Sequence, residues 1–301
     1  MQFIKYLVFI IFLFSFIVGN AQKTQKSDTS TFRITTKDGN EFIGYIIFEG
    51  DRQIKLQTSN LGQITIQKKD IESLIKVKQS KLVKGVYWFD NPQATRYFWA
   101  PNGYGLHTGE GYYQNVWIFF NQVSIGLNEN FSIGFGMMPL FLFAGSPTPV
   151  WITPKFSIPI SSDNWALGGG VLAGTVIGAS GAGFGIFYGT TTFGSKDSNV
   201  SFGLGYGYAG GNFASSPTIN ISAMIRTGAR GYILTENYYI GSAGENVLIL
   251  SVGGRRIINR AGLDFGLFTP LELGGELFAI PWLGLTIPIG RIPGEYDVLI
   301  K

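Results

Sequence analysis

Residues 115–137, NVWIFFNQVSIGLNENFSIGFGM, decide the fold of this 301-residue chain. From Val123 to Phe135, apolar side chains occupy nearly every second position, and Ser or Gly fills most of the positions between them. Alternation of this kind predicts β-strands with one apolar face. That face suits a soluble sheet that packs on a core, and it equally suits a barrel wall in contact with lipid. The stretch alone leaves both alternatives open.

Strand length separates the two alternatives. Candidate strands follow one another along the rest of the chain, with turn residues between them. They cover residues 115–127, 131–143, 149–160, 165–177, 183–193, 199–209, 217–227, 232–241, 246–257, 261–270 and 277–289. Soluble strands are about 5–6 residues long, whereas a tilted membrane-spanning strand needs about 9–11 residues. We therefore predict an all-β fold whose main part is a transmembrane antiparallel up-and-down β-barrel of about 10–12 strands, over residues 115–290.

A membrane barrel turns bulky apolar side chains to lipid and small or polar side chains to its lumen. The candidate lipid-facing residues are Val123, Ile125, Leu127, Phe131, Ile133, Phe135, Phe202 and Leu204. The candidate lumen-lining residues are Gln122, Ser124, Lys155, Arg226, Arg255, Glu236 and Asp264. Charges of both signs indicate either a salt-bridged, packed lumen, which we favour, or the lining of a narrow pore. The loops are short, which predicts neither a plug nor a constriction loop.

Aromatic residues lie near the ends of the predicted strands, where a membrane barrel carries its interfacial girdles. These residues are Tyr112, Tyr113, Trp151, Trp165, Tyr232, Tyr238, Tyr239 and Trp282. Their positions favour the lipid-facing barrel over the soluble sheet.

Residues 165–189, WALGGGVLAGTVIGASGAGFGIFYG, allow a second interpretation. They contain no charge, and Gly170, Gly174 and Gly178 recur every four residues, as in a transmembrane helix with a small-residue packing face. Gly is a poor helix former, however, and the flanking segments alternate as strands do. We predict a hairpin that turns at Ala179-Ser180-Gly181.

The first residues predict export. Lys5 precedes an apolar run from Tyr6 to Gly19, and Gly19 and Ala21 are small residues suited to a cleavage site. Residues 1–21 are therefore interpreted as a signal peptide, with an uncleaved membrane anchor as the alternative, and residues 22–31 as a polar linker. The sequence contains no Cys, which excludes lipoprotein anchoring, disulfides and thiol chemistry.

Residues 32–78 predict a small, five-stranded β domain. Lys37-Asp38-Gly39-Asn40 carries the Asp-Gly hairpin signal, Asn60-Leu61-Gly62 is another turn, and residues 43–48 are apolar on both faces, which indicates a central strand. The DG turn, the GYI and IKLQT strands and the NLGQITI hairpin resemble the Sm-like/SH3-like small barrels. The RNA-binding residues of that family are not recognisable here. We expect residues 79–114 to be a linker.

Several motifs along the chain resemble a group of outer-membrane barrels from Bacteroidota. They are the AQ ending of the signal peptide, the small β domain, GEGYYQN (109–115), NENFSIGFG (128–136) and WITPKFSIPIS (151–161). The resemblance implies a barrel in the outer membrane, in contact with its lipid and assembled by the barrel-assembly machinery, with the front domain in the periplasm. It implies no reaction. The tail 291–301 departs from the usual aromatic ending, so either residues 296–300 form a partial strand or the assembly signal lies inside the chain.

Composition argues against several classes of function. Charges concentrate before residue 100, whereas 36 of the 42 Gly lie after it. Export and the mixed charges of the front domain disfavour nucleic-acid binding. His107 is the only His, and without a cluster of His or Cys we expect no metal and no cofactor.

The function that the sequence predicts is narrow-pore permeation or envelope structure, without a named substrate. One alternative is a scaffold that binds a periplasmic protein through residues 32–78. The other is a lipid-modifying barrel enzyme that uses His107, although we expect that residue to lie in a solvated linker over residues 103–111. We therefore expect no catalysis.

Overall fold

The structure is a computed structural model that describes residues 30–77, 82–83, 86–161, 164–179, 181, 183–242, 245–272, 278–290 and 296–297. The predicted signal peptide lies outside the described residues. By its contacts the chain divides into two units, residues 1–77 with 297–301 and residues 78–296. In the described part of the chain, no helix is long and apolar enough to span a bilayer.

The first unit is an antiparallel sheet. Its strands are β1 (Thr31–Thr36), β2 (Glu41–Glu49), β3 (Gln53–Thr58), β4 (Gln63–Gln67) and β5 (Ile71–Val77), with a 3-10 turn at Lys68–Asp70. The order in the sheet is β5-β1-β2-β3-β4. The core contains Ile34, Ile54, Leu56, Ile66, Ile71 and Leu74. The Asp-Gly turn forms as predicted, because Gly39 adopts a φ of 84° that suits glycine at the hairpin.

Strand β2 lies between β1 and β3, as its two apolar faces predict. The register with β3 shifts between Ile46 and Phe48, so a bulge interrupts the alternation. Tyr45, Ile47 and Phe48 are each 48% exposed as a result. The strand therefore exposes an apolar surface to solvent, whereas the sequence pattern predicted that both of its apolar faces would be buried.

The second unit contains the barrel. A two-stranded ribbon, β6 (Leu82–Val83) and β7 (Val86–Tyr87), precedes it. The following elements are β8 (Glu110–Val116), β9 (Phe120–Gly126), β10 (Phe131–Met137), α1 (Pro139–Phe143), β11 (Thr148–Ile152), β12 (Lys155–Ser161), β13 (Trp165–Ile177), β14 (Phe184–Gly194), β15 (Ser198–Ala209), β16 (Asn212–Phe213), β17 (Thr218–Gly228), β18 (Gly231–Ser242), β19 (Glu245–Ile258), β20 (Ala261–Glu272) and β21 (Ile280–Gly290). The short strand β22 (Tyr296–Asp297) lies beside β5, so part of the predicted tail is a strand outside the barrel.

Antiparallel pairing closes the barrel. Each strand pairs with its neighbours, and β21 returns to β8 through seven residue pairs, from Gly284↔Val116 to Gly290↔Glu110. β11 and β12 both lie between β10 and β13, so they form one interrupted strand of the wall. Counted in this way the barrel has twelve strands, which confirms the predicted fold class. Closure leaves no free sheet edge, as a hydrocarbon environment requires.

The first predicted strand, 115–127, is wrong in its boundaries, because a tight turn divides it. Trp117 and Ile118 have positive φ values of 51° and 69°, which side chains of this kind rarely adopt. The side chains of Asn115 and Asn121 hold the turn: both donate to the Ile118 carbonyl, and Asn115 Oδ1 accepts the Ile118 N–H. Sequence rules for turns look for Gly, Pro or Asp here, so β8 escaped prediction.

The second predicted strand, 131–143, ends early. β10 stops at Met137, and Pro139 then opens the one-turn helix α1. Pro fits the first helical position because its missing N–H would have no partner there. The predicted hairpin within 165–189 is confirmed, since β13 and β14 pair from Trp165↔Phe193 to Gly174↔Phe184.

Candidate functional site

Residues 89–106, here called the plug, lie inside the barrel. Gln93, Tyr97, Phe98 and Asn102 in this segment are at most 1% exposed. Their hydrogen-bond partners project inward from strands on several sides of the wall. The expectation of a linker over residues 79–114 is therefore wrong for residues 89–106, and so is the expectation of a lumen without a plug. This segment has no strand or helix pattern, so its sequence resembles that of a linker.

A buried arginine attaches the plug to the wall. Arg255 on β19 pairs with Asp264 on β20 through Nε–Oδ1 and Nη2–Oδ2 distances of 2.6 and 2.9 Å. Its remaining N–H groups donate to the Gln93 side chain and to the backbone carbonyls of Gln93 and Tyr97. Asn91 Oδ1 accepts another at 3.0 Å. The guanidinium of Arg255 thus joins two neighbouring strands of the wall to the plug.

A carboxylate holds the tip of the plug. The plug turns between Tyr97 and Ala100, where the Tyr97 N–H donates to the Ala100 carbonyl. The backbone N–H groups of Phe98, Trp99 and Ala100 all donate to Glu236 Oε2 at 2.9 Å. The Tyr238 hydroxyl donates to Glu236 Oε1 at 2.7 Å. Three aligned N–H groups form a concave anion site, so the buried Glu236 is satisfied without an ion pair.

Neutral contacts complete the seat of the plug. The Tyr97 hydroxyl lies 2.6 Å from Asn199 Oδ1 and 2.7 Å from Ser201 Oγ. The Gly103 N–H donates to Thr192 Oγ1 at 2.7 Å. A side chain at Gly103 would meet the Ala166 carbonyl oxygen at 2.4 Å, so the plug approaches the wall at backbone distance.

Two further buried basic side chains lie at the plug. Lys155 Nζ on β12 donates to the backbone carbonyls of Thr95 and Tyr104 at 3.2 and 2.5 Å. Arg96, within the plug, donates to Gln114 Oε1 at 3.2 Å and lies 5.5 Å from the Tyr112 ring centre. Within the described residues neither side chain has a carboxylate at ion-pair distance.

The structure places the predicted lumen residues as follows. The side chains of six of them are buried on the inner face: Gln122, Ser124, Lys155, Glu236, Arg255 and Asp264. Arg226 lies at the end of β17 with a side chain only 4% exposed, where it binds Asp197 and the Phe89 carbonyl. Lys155, Glu236, Arg255 and Arg226 form hydrogen bonds to the plug, and Asp264 binds Arg255.

Most of the predicted lipid-facing residues are exposed on the outer surface. Val123, Ile125, Leu127, Phe135, Phe202 and Leu204 are 41–55% exposed. Phe131 and Ile133 are half-buried, and the Phe131 ring packs 4.7 Å from that of Phe156. The outer wall therefore carries an apolar surface around much of the barrel.

The aromatic girdle prediction is wrong for several of its members. Tyr112, Trp151, Tyr232 and Trp282 point inward and are at most 7% exposed. Trp99 of the plug lies 5.6–6.4 Å from the rings of Phe120, Trp151 and Trp282. The plug gives these rings an interior surface to pack on, and their sequence positions could not reveal it.

A half-enclosed cavity of about 320 Å³ lies in the lumen against the plug. Plug residues Arg96, Trp99, Ala100 and Pro101 form one side. The barrel wall contributes Gln122, Thr153, Leu172, Ile186, Tyr188, Thr190, Thr218, Asn220, Tyr238, Ile240 and Ile249 among others. Except for Gln122, sequence analysis missed these residues. Their places on the inward face of the strands could have identified them as lumen residues. Nothing in the sequence indicates that they form a cavity with the plug.

His107 lies just after the plug, at the turn end of the barrel. Its Nδ1 is 2.6 Å from Glu129 Oε2, and its Nε2 is 3.2 Å from Lys196 Nζ. The ring is exposed, and among the described residues it contacts no serine hydroxyl. In the described part of the chain, no group of three or more His, Cys, Asp or Glu could hold a metal ion.

Three solved structures align with the chain at low sequence identity. The KdgM porin aligns at 8% identity over 60% of this chain and 97% of that chain, with a TM-score of 0.44. The CymD monoaromatic hydrocarbon channel aligns at 9% identity over 87% and 86%, with a TM-score of 0.34. A loop L8 deletion mutant of OmpT, an outer membrane protein of Vibrio cholerae, aligns at 12% over 87% and 97%, with a TM-score of 0.32. No protein-family model and no curated protein matches the chain.

Replacing Asp264 tests the arginine anchor. Asp264→Asn keeps the shape of the side chain but leaves the Arg255 charge buried without its carboxylate. We expect the free energy of unfolding to fall by about 3–5 kcal/mol. Urea unfolding in detergent, followed by tryptophan fluorescence, measures the change. The matched control is Asp51→Asn, an exposed site where the change should stay within about 0.5 kcal/mol; equal losses in the two variants would contradict the anchor.

Acid should weaken the contact at the root of the plug. The hydrogen bond from His107 lowers the pKa of the Glu129 carboxyl, although burial opposes it slightly. A lowered folded-state pKa stabilises the fold above the unfolded value of about 4.3. That stabilisation is lost as the pH falls through the folded-state pKa. The melting-temperature difference between wild type and Glu129→Gln should therefore shrink from pH 5 to pH 3, while a constant difference would refute the contact.

Proposed function

We propose that the protein is a gated channel of the outer membrane, in which the plug closes a narrow pore for a small solute. The observation that carries the proposal is the attachment of the plug through Arg255 and Glu236 to a closed twelve-stranded barrel. A packed lumen does not conduct by itself. Both anchors are polar contacts, however, and such contacts exchange with water when a segment moves.

The outer membrane as location is part of this proposal. The exposed apolar side chains of the wall suit lipid, and the sequence predicts a signal peptide. Among the described residues, the shorter connections between strands lie at one end of the barrel, with turns at 127–130, 195–197, 229–230 and 259–260. Short turns face the periplasm in barrels of this kind. The plug enters from that end, since β8 begins there. We also propose that the front domain lies in the periplasm. Its strand order and its 3-10 turn support the Sm-like fold that we propose for it.

Conductance measurements test the gate. Wild-type protein in planar bilayers should remain mostly closed. Glu236→Ala removes the acceptor for three plug N–H groups, so discrete openings should become at least about tenfold more frequent, as expected from losing charge-assisted hydrogen bonds. Glu49→Ala, the same truncation at a half-exposed site in the front domain, should match wild type. A folded Glu236→Ala barrel as silent as wild type would rule out gating by the plug.

A second candidate function is a scaffold for a periplasmic protein. Tyr45, Ile47 and Phe48 form an exposed apolar surface on the front domain, next to Lys55, whose Nζ lies 5.6 Å from the Phe48 ring centre. Clustered apolar side chains on a small domain mark a contact surface more often than isolated ones do. We propose that this surface binds a periplasmic protein, which is compatible with a gated barrel.

Site-specific photocrosslinking in intact cells tests this surface. Ile47→p-benzoylphenylalanine should yield one discrete adduct, and the same probe at Leu61, an exposed turn residue, should not. Adding Phe48→Ser should remove the adduct because it interrupts the apolar surface. Adducts at both positions, or at neither, would argue against a specific partner.

A further inference from the structure

The cavity beside the plug combines an apolar wall with a charged floor. Leu172, Ile186, Ile240 and Ile249 line the barrel side, and the Trp99 ring lies on the plug side. A volume of about 320 Å³ is at the small end for ligand sites, which run from roughly 300 to 1,000 Å³. The cavity is therefore suited to a small organic molecule with an apolar body, rather than to an oligomer.

Arg96 brings a buried positive charge to the floor, and among the described residues no carboxylate lies at ion-pair distance from it. Arg96 lines this cavity, and it borders a second space of about 20 Å³ together with Lys155. The two nearby buried acids are already engaged, Asp264 by Arg255 and Glu236 by the plug N–H groups and Tyr238. A buried cation without a counter-ion is costly, so an anion in the cavity would be stabilised strongly.

Two donor groups at the cavity have no hydrogen-bond partner. Arg96 Nε and Thr190 Oγ1 are buried and unsatisfied, although Arg96 Nη1 bonds Gln114. Both residues line the cavity and are 8% exposed. Buried polar groups in native proteins nearly always find partners, so two unsatisfied groups in residues that line one cavity favour a ligand that carries an acceptor. A carboxylate accepts hydrogen bonds from an arginine and from a hydroxyl at once.

We propose that this cavity binds a small organic carboxylate, with its charged head at Arg96 and its apolar body between Trp99 and the aliphatic side chains of the wall. This inference rests on the proposed function, because it names the solute class of the same lumen. The ligand touches the plug itself, since Arg96 and Trp99 belong to it. Occupancy of the cavity therefore acts directly on the segment that closes the barrel.

Binding of a matched pair of probes tests the solute class. Phenylacetate and phenylacetamide have nearly the same shape, but only phenylacetate carries a negative charge. Both are soluble in water. Isothermal titration of the full-length barrel in detergent should show phenylacetate binding at least about tenfold more tightly, as expected for hydrogen bonds to a charged group. Arg96→Gln should abolish that preference, and Arg96→Lys should retain part of it. Arg256→Gln, the same loss of charge at an exposed arginine, should leave it unchanged.

A second variant keeps the test independent of Arg96. Ile186→Trp fills the cavity and leaves the plug anchors intact, so both probes should lose binding while the barrel stays heat-modifiable. Equal affinity for the two probes, no binding of either, or a preference that survives Arg96→Gln would each overturn the carboxylate site. Binding is measured on the closed barrel. Intact binding with a silent Glu236→Ala channel would therefore overturn the gate alone, whereas conduction without anion preference would overturn the ligand class alone.

Discussion

The buried guanidinium of Arg255 is the interaction on which the rest of the lumen depends. A closed barrel satisfies its own backbone, but its inner side chains need partners that water would otherwise supply. Arg255 binds Asp264 on the neighbouring strand and two plug carbonyls, so one side chain joins wall and plug. Because its charge cannot be left buried alone, the plug position and the β19–β20 pairing stabilise each other.

The barrel could be predicted because its information is local. Residues 200–208 alternate with a period of two, and their length exceeds that of soluble strands, so pattern and length together indicate a wall in lipid. The pairing of β14 with β15 follows this pattern residue by residue. Prediction failed where hydrogen bonds from side chains, rather than glycine or proline, stabilise a turn. Asn115 and Asn121 hold a turn at Trp117-Ile118 that no glycine or proline marks.

The plug could not be predicted because the contacts that hold it in the lumen join residues far apart in the sequence. Gln93 bonds Thr286, and Tyr97 bonds Asn199, partners more than a hundred residues away in sequence. The segment itself carries Gly, Pro and Asn as an exposed linker would. The sequence predicts that Glu236 and Asp264 face the lumen. It does not predict that Glu236 binds the plug, or that Asp264 binds the arginine that does so.

The charged side chains of the lumen differ in whether their hydrogen-bonding groups have partners, and this difference distinguishes anchoring residues from the proposed ligand-binding residue. Arg255 and Glu236 have all the partners that their geometry allows, which is what anchoring groups require. Arg96 has the opposite character, since it is buried in the plug with a free Nε and without a carboxylate. Departures from complete polar satisfaction concentrate at functional sites, where a ligand supplies the missing partner. Arg96 belongs to the plug rather than to the wall, so the group that we propose to recognise a solute is also part of the segment that we propose to move.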